Sequence, residues 1–230
     1  MFRIGTVPYQ VAQPLTAGLA GRDDIELVVA PPAQLAEMLA SDRLDCALAS
    51  SVLSLGDSDL FLWADGPVVA SIGSIKSVLL MLRPGCDSLS DVKRWAADPN
   101  SHTGRALAGI VLTQNKVDAV MVDVEGDAFG TEAGVDAVQI IGDPALDAVA
   151  KYSDWTVIDL GDEWYRLTNL PFVFAGWLFK DADKFSDIAP LLDVTAESNC
   201  AAYAESGLHY NLDVKQIEMS LQQFAQWISS

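Results

Sequence analysis

The sequence predicts an α/β protein with two lobes and a ligand cleft between them. Over the first fifty residues, short apolar runs alternate with segments of helical spacing, which is typical of parallel β-α-β units. A longer apolar run from Leu170 to Phe179, interrupted by Gly176, lacks the alternation of a half-exposed strand and indicates a strand covered on both faces, as is typical of a parallel sheet. With 230 residues, 50% of them hydrophobic, the chain can bury one large core or two modest ones.

Strand and helix signals alternate through the first fifty residues. Pro14 suits the first turn of a helix, where its fixed φ and missing N–H are tolerated, and Pro31-Pro32 turn the chain from a strand into the next helix. The predicted elements are a strand at 4–7, a helix at 15–19, a strand at 25–30, a helix at 34–39 and a strand at 45–49. Right-handed crossovers would place these strands in one sheet.

The middle of the chain continues the alternation. Ser88 or Ser90 can cap a helix after Pro84-Gly85, and a polar loop at 98–105 leads into another helix. The predicted elements are a strand at 77–82, helices at 89–95 and 106–112, and strands at 117–122 and 137–141. This block is interpreted as a second α/β lobe.

The segment 159–175 combines a helix start, a helix stop and a buried strand. Gly161 and Asp162 can open the helix, with acidic residues in its first turn, and Asn169 can close it before Pro171. Beyond Phe179 the spacing is helical in two segments. Their apolar faces are residues 185, 188, 191 and 192, then 217, 221, 224 and 228. We expect both helices to pack on the first lobe.

These elements predict a discontinuous first lobe at 1–83 and 178–230, and a second lobe at 84–177. Two crossing strands would join them. In such folds a ligand lies between the lobes and faces strand ends and helix N-termini.

Composition excludes several classes of function. A net charge of −18 with 14 Lys and Arg argues against nucleic-acid binding, and no apolar run reaches membrane-spanning length. Because no signal peptide is recognised, we expect a cytoplasmic protein. Three dispersed cysteines and two histidines, His102 and His209, give no disulfide framework and no metal-ligand spacing. A bound metal is therefore not expected, and no dinucleotide fingerprint or nucleophile elbow occurs.

The best candidate for an anion site is the predicted helix N-terminus that carries Ser101, Thr103 and Arg105. Backbone N–H groups, hydroxyls and a guanidinium can together bind a carboxylate. The same residues are also typical of an ordinary helix cap with an exposed arginine, and the sequence leaves both interpretations open. Further candidates for contact with the ligand are Tyr9, Gln10, Ser77 and Asp143, which follow or precede predicted strands.

Taken together, five blocks of the chain resemble the futalosine-pathway family of menaquinone biosynthesis, in its chorismate dehydratase branch. The blocks are Ile4-Gly5 to Tyr9 with Pro14-Leu15, Gly73 to Leu80, Ser101 with Thr103, Ile141-Gly142-Asp143 with Ala145-Leu146, and Asp159 to Phe174. The resemblance implies the two-lobed periplasmic-binding-protein-like fold of type II, with an interlobe cleft. It also implies a hydro-lyase that converts chorismate to 3-enolpyruvoyl-oxybenzoate without a cofactor, and hence a small anionic aromatic or cyclohexadiene carboxylate as ligand.

The sequence departs from that family beside the opening tyrosine. Where the family has an Asn tied to catalysis, this chain has Val11, with Gln10 as a neighbouring amide; Gln13 replaces a basic residue and Gly104 replaces a hydroxyl. Two alternatives to the dehydratase therefore stand. One is a non-catalytic carboxylate-binding protein that has lost the amide, and the other is an enzyme acting on another intermediate of the futalosine pathway.

Overall fold

Two β-sheets divide the chain into two lobes in the computed structural model, which describes residues 1–56, 58–130, 133–200, 210 and 212–229. The strands are β1 (Phe2–Thr6), β2 (Ile25–Val29), β3 (Cys46–Ser50), β4 (Phe61–Leu62), β5 (Val68–Ser71), β6 (Val78–Leu82), β7 (Arg94–Ala96), β8 (Val120–Val122), β9 (Ala137–Ile141), β10 (Thr156–Asp159) and β11 (Phe172–Phe179). The helices are α1 (Gln13–Thr16), α2 (Pro32–Ala40), α3 (His102–Gln114), α4 (Asp143–Lys151), α5 (Leu160–Thr168), α6 (Ala182–Cys200) and α7 (Val214–Ile228). The predicted α/β fold of two lobes is confirmed.

The sheet of the first lobe runs in the order β2-β1-β3-β11-β4, with β5 also paired to β11. Its strands β1, β2 and β3 are parallel, as the alternation of the first fifty residues predicted. The sheet of the second lobe runs β10-β6-β9-β7-β8 and mixes parallel with antiparallel pairs. The carboxyl ends of β1 and β3 and the N-terminus of α3 border the same hollow between the lobes.

The boundaries between the lobes lie one strand earlier than the sequence predicted. Strand β6 pairs with β9 and β10 in the second sheet, so residues 78–82 do not belong to the first lobe that was placed at 1–83. Strand β11 pairs with β3 in the first sheet, so the second lobe ends before residue 172 and not at 177. The chain therefore crosses between the lobes at 72–77 and at 169–171.

The prediction that β11 has parallel neighbours is wrong. This strand is buried over seven of its eight residues, but it is antiparallel to β3, β4 and β5. An unbroken apolar run indicates that both faces of a strand are buried. A strand can be buried in this way whether its neighbours are parallel or antiparallel. The sequence pattern therefore gave the environment of β11 and not its direction.

The prediction of a helix at 89–95 is also wrong. A single 3-10 turn at Leu89–Asp91, closed by a capping box between Ser88 and Asp91, leads into β7. The carboxylate of Asp136 accepts hydrogen bonds from the N–H groups of Lys93 and Arg94, both at 2.9 Å. Trp95 is buried between β8 and β9. Sheet pairing with distant residues decides this segment against its local helical spacing.

The last two helices differ in what they cover. As predicted, α6 packs on the first lobe, where Ile188 and Leu192 join its core. Helix α7 packs on both lobes, because Ile217 contacts the first-lobe cluster of Val68 and Ala70 whereas Phe224 contacts Trp164 of α5. Within the described ranges, none of the helices is both long and apolar enough to span a membrane.

Candidate functional site

A hollow with a cavity volume of about 80 Å³, open to solvent on one side, lies between the two lobes. The first lobe contributes the loop after β1, the end of β3 and part of β11, and the second lobe contributes the N-terminus of α3 and the end of β9. Apolar side chains such as Leu48, Val69 and Phe174 form much of its wall. Such a wall suits contact with the apolar face of a small ring.

Two of the predicted hydroxyl residues, Ser101 and Thr103, line this hollow at the N-terminus of α3. Ser101 is the N-cap and its Oγ accepts a hydrogen bond from the N–H of Gly104 at 3.2 Å. Thr103 Oγ1 accepts a hydrogen bond from the backbone N–H of Val52 in the other lobe at 3.3 Å. Within the described part of the chain, the hydroxyl proton of Thr103 has no acceptor and is available to a ligand. Together with the positive end of the helix, these groups suit a carboxylate.

A wholly buried glutamine supports this helix start. Gln139 on β9 accepts the N–H of Asp98 through Oε1 at 3.2 Å, and its Nε2 donates to Ser101 Oγ at 3.5 Å. The side chain thus ties the loop before α3 to the sheet. Nothing in the local sequence pattern around Gln139 distinguishes it from a solvent-facing strand residue, so only the fold identifies it.

Two further serines, one from the end of β3 and one from the segment before β6, line the hollow. Ser77, predicted from the sequence, and Ser50, which was not, are 9% and 7% exposed and both line the hollow. Neither side chain hydrogen-bonds to any residue in the described part of the chain. Because both hydroxyls border an open hollow and have no partner among the described residues, they suit a hydrogen bond to a ligand or to ordered water. Ser50 directly follows the strand predicted at 45–49, and that position was the signal for it.

Tyr9 also lines the hollow, as predicted, and its ring lies against Gly142 of the other lobe. Burial of the phenol is the main cause that raises the pKa of Tyr9, followed by the negative charges of Asp98 and Asp143. The phenol therefore keeps its proton at neutral pH and acts as a hydrogen-bond donor at the edge of the hollow.

Three of the predicted contacts lie outside the lining of the hollow. Gln10 is exposed, and its backbone N–H donates to Asp143 Oδ1 at 3.3 Å, which joins the lobes beside the hollow. Asp143 is the first residue of α4 and follows the N-cap residue Gly142. Arg105 is exposed on α3. Among the described residues that line the hollow, none has a charged side chain, so its donors are neutral hydroxyls and N–H groups.

The position of the family's Asn is part of the same lining. Val11 borders the hollow with an aliphatic side chain that packs on the first-lobe core. His209, one of the two histidines considered for a metal, lies outside the described residues. Within the described residues, no three His, Cys, Asp or Glu side chains come together as ligands for a metal.

Comparison with known proteins gives the same fold and one family. A family model described as menaquinone biosynthesis matches residues 2–223. The chorismate dehydratase of Thermus thermophilus is 28% identical over 196 residues, which cover 75% of this chain and 70% of that protein. The alkanesulfonate-binding protein SsuA of Xanthomonas axonopodis pv. citri has a TM-score of 0.60 at 17% identity, covering 96% of this chain and 83% of that one.

A Candida albicans gene product described as having the generic periplasmic binding protein fold has a TM-score of 0.55 at 15% identity. That match covers all of this chain and 90% of the other. At such identities the likeness concerns the fold alone, and it confirms the periplasmic-binding-protein-like architecture.

Proposed function

This chain belongs to the menaquinone biosynthesis family, and on that premise we propose that it is a hydro-lyase that binds chorismate between its lobes and dehydrates it to 3-enolpyruvoyl-oxybenzoate. The observation that supports the proposal best is the convergence of four hydroxyl residues from both lobes on one hollow. They are Ser50, Ser77, Ser101 and Thr103.

These residues suit a carboxylate without any cation. The chain carries a net charge of −18, so the overall field does not attract an anion and local donors have to hold it. Thr103 can donate its hydroxyl proton, and the first N–H groups of α3 have no partner within the helix. A carboxylate of chorismate at this helix start would accept from both, and the hydroxyls of Ser50 and Ser77, which line the same hollow, would be further donors to the ligand.

The proposed reaction needs little catalytic assistance from the protein. One C–O bond of the cyclohexadiene breaks, a ring proton leaves, and the products are an aromatic ring and water. Aromatisation favours elimination, so positioning and exclusion of solvent contribute most. The apolar wall around Leu48 and Phe174 provides that environment. Tyr9, protonated at neutral pH, would donate a hydrogen bond to the ligand at the edge of the hollow.

Incubation of the purified protein with chorismate tests the proposal directly. We expect the aromatic product to accumulate, as followed by ultraviolet absorbance and separated by chromatography, at a rate proportional to the protein concentration. The matched variant Ser77→Ala should lose most of that rate while it remains folded. A rate no higher than that of chorismate alone would exclude the dehydratase.

The second candidate is a carboxylate-binding protein without turnover, and Val11 favours it. An Asn side chain that stabilises developing charge often contributes about 3 to 4 kcal/mol, and valine cannot supply that interaction. Calorimetry with chorismate distinguishes the two: saturable heat with unchanged chorismate recovered afterwards supports binding alone, whereas product formation supports the enzyme.

A further inference from the structure

The carboxylate of Asp159 binds the segment that crosses from the first lobe to the second. Asp159 ends β10 and is the N-cap of α5, where its Oδ1 accepts the N–H groups of Gly161 at 2.9 Å and Asp162 at 3.2 Å. The same carboxylate accepts three donors from the crossing segment 72–77. These are the N–H of Ile75 on Oδ1 at 3.1 Å, and the Ser74 hydroxyl and the N–H of Lys76 on Oδ2, both at 2.7 Å.

The crossing segment forms part of the wall of the hollow. Ile75 and Ser77 line it, and the carbonyl of Ser77 accepts the N–H of Gly142 at 2.7 Å. Lys76, between them, has a φ of 65°, a left-handed conformation that is unfavourable for a residue with a β-carbon. The hydrogen bond from Lys76 N–H to Asp159 therefore stabilises a backbone conformation that decides where the Ser77 hydroxyl points.

Helix α5 also lies directly against this segment. A β-carbon on Gly161 would stand 2.5 Å from the carbonyl oxygen of Gly73 and 2.7 Å from Ser71 Oγ, so no side chain fits between them. The carboxylate of Asp159 at the start of this helix thus binds three donors of residues 74–76.

We propose that Asp159 is a positioning residue for the cavity: its carboxylate fixes the crossing segment on the second lobe and holds the Ser77 hydroxyl toward the ligand. Three donors of residues 74–76 are bound by Asp159, whereas the hydroxyl of the next residue, Ser77, has no partner among the described residues and is left for the ligand. The contacts of Asp159 with Ser74 and Lys76 are separate from its role as a helix cap, because they use the other carboxylate oxygen.

The substitution Asp159→Asn separates the two roles. Asparagine caps helices as well as aspartate, and one oxygen can still accept from Gly161, Asp162 and Ile75. Its amide NH2 then replaces the oxygen that accepted the N–H of Lys76. Because both groups are donors, this hydrogen bond is lost. We expect the Lys76 amide to exchange with deuterium at least tenfold faster in ¹⁵N-resolved NMR, while the amides of α5 and β10 exchange as before.

Binding supplies a second readout, which rests on the proposed function. The dissociation constant of chorismate should rise about tenfold in Asp159→Asn. The matched control is Asp213→Asn, because Asp213 caps α7 and accepts the N–H of Lys215 without touching the crossing segment. It should change neither the exchange of Lys76 nor the affinity.

Each outcome of this experiment bears on the proposal. Wild-type exchange at Lys76 in a folded Asp159→Asn protein would overturn it, even if the melting temperature fell. Should Asp159→Asn fail to fold, Ser74→Ala removes one donor and leaves the cap intact, and it should speed exchange at Lys76 about threefold; unchanged exchange there would equally overturn the proposal. If the wild-type protein does not bind chorismate, the proposed function fails, and the exchange of Lys76 still decides the role of Asp159.

Discussion

The ring of Tyr9 in the first lobe occupies the space beside Gly142 in the second, so closely that a β-carbon on Gly142 would stand 2.6 Å from Tyr9 Cδ1. Gly142 also has a φ of 70° and a ψ of −154°, a conformation that glycine alone adopts easily. The contact between the lobes at the edge of the hollow therefore depends on the absence of a side chain at this position.

Replacing Gly142 tests that contact. In Gly142→Ala the new methyl group should displace the Tyr9 ring and strain the backbone, at a cost of about 1–3 kcal/mol in the free energy of unfolding. The affinity for chorismate should fall at least tenfold. Urea unfolding and calorimetry measure the two effects. Gly109→Ala in α3 is the control, since its β-carbon would be 4.0 Å from the nearest atom, Trp95 Cζ2; a loss as large there would contradict the steric explanation.

The two unpartnered serines should matter for binding and not for stability. Ser50→Ala and Ser77→Ala remove no hydrogen bond within the described protein, so we expect melting temperatures at or slightly above that of the wild type. Each should weaken chorismate binding about tenfold in calorimetry, because the ligand loses a buried partner.

Arg105→Ala is the matched control on the same side of the cleft. Its guanidinium is exposed and lies outside the lining of the hollow. We expect the affinity for chorismate to remain within twofold of the wild type at moderate ionic strength. A tenfold loss would restore Arg105 as the carboxylate clamp that the sequence suggested.

Val11→Asn should restore the side-chain amide that the family has at this position. Because Val11 lines the hollow, the amide can reach a bound ligand. We expect the rate of chorismate dehydration to rise on the order of a hundredfold, the size of effect seen for amides that stabilise developing charge. Val7→Asn, at another lining position, should give no such rise. An equal rate in Val11→Asn and the wild type would show that this protein does not use the amide.

Asp45 is expected to link stability to pH. Burial favours its neutral form, but the N–H of Arg3 at 2.8 Å and its guanidinium at 3.2 Å, with the charge of Lys184, outweigh that effect and lower the pKa of Asp45. A lowered pKa in the folded state stabilises the protein above the unfolded value of about 3.9, and this stabilisation is lost as the pH falls through the folded pKa.

The variant Asp45→Asn should therefore lower the free energy of unfolding by about 2 kcal/mol at pH 7, and the difference should shrink as the pH approaches 3. Urea titrations across that range measure it. Asp24→Asn is the control: Asp24 pairs with Arg22 at 2.8 Å but is exposed, so we expect no measurable change. A difference for Asp45→Asn that is independent of pH would contradict the ionic explanation.

Much of the candidate site was accessible from the sequence, because its residues sit at ends of elements. Tyr9 follows the first strand, Ser77 precedes another, and Ser101 and Thr103 begin a helix, and all four line the hollow. Arg105, Gln10 and Asp143 carry the same kind of signal and do not line it. Nearness along the chain cannot tell which way a side chain faces once its helix has packed.

The sequence by itself determined the features that depend on residues close together along the chain. The apolar runs gave the buried strands, and Asn169 gave the left-handed end of α5, with a φ of 57°. The tertiary structure alone decided the direction of β11, the strand at Arg94–Ala96, the point where the chain changes lobes, and the pairing of Asp159 with residues 74–76, which precede it by more than eighty positions. The physical reason is that caps, turns and burial depend on local contacts, whereas strand pairing and the shape of a cavity depend on distant segments that meet only in the folded chain.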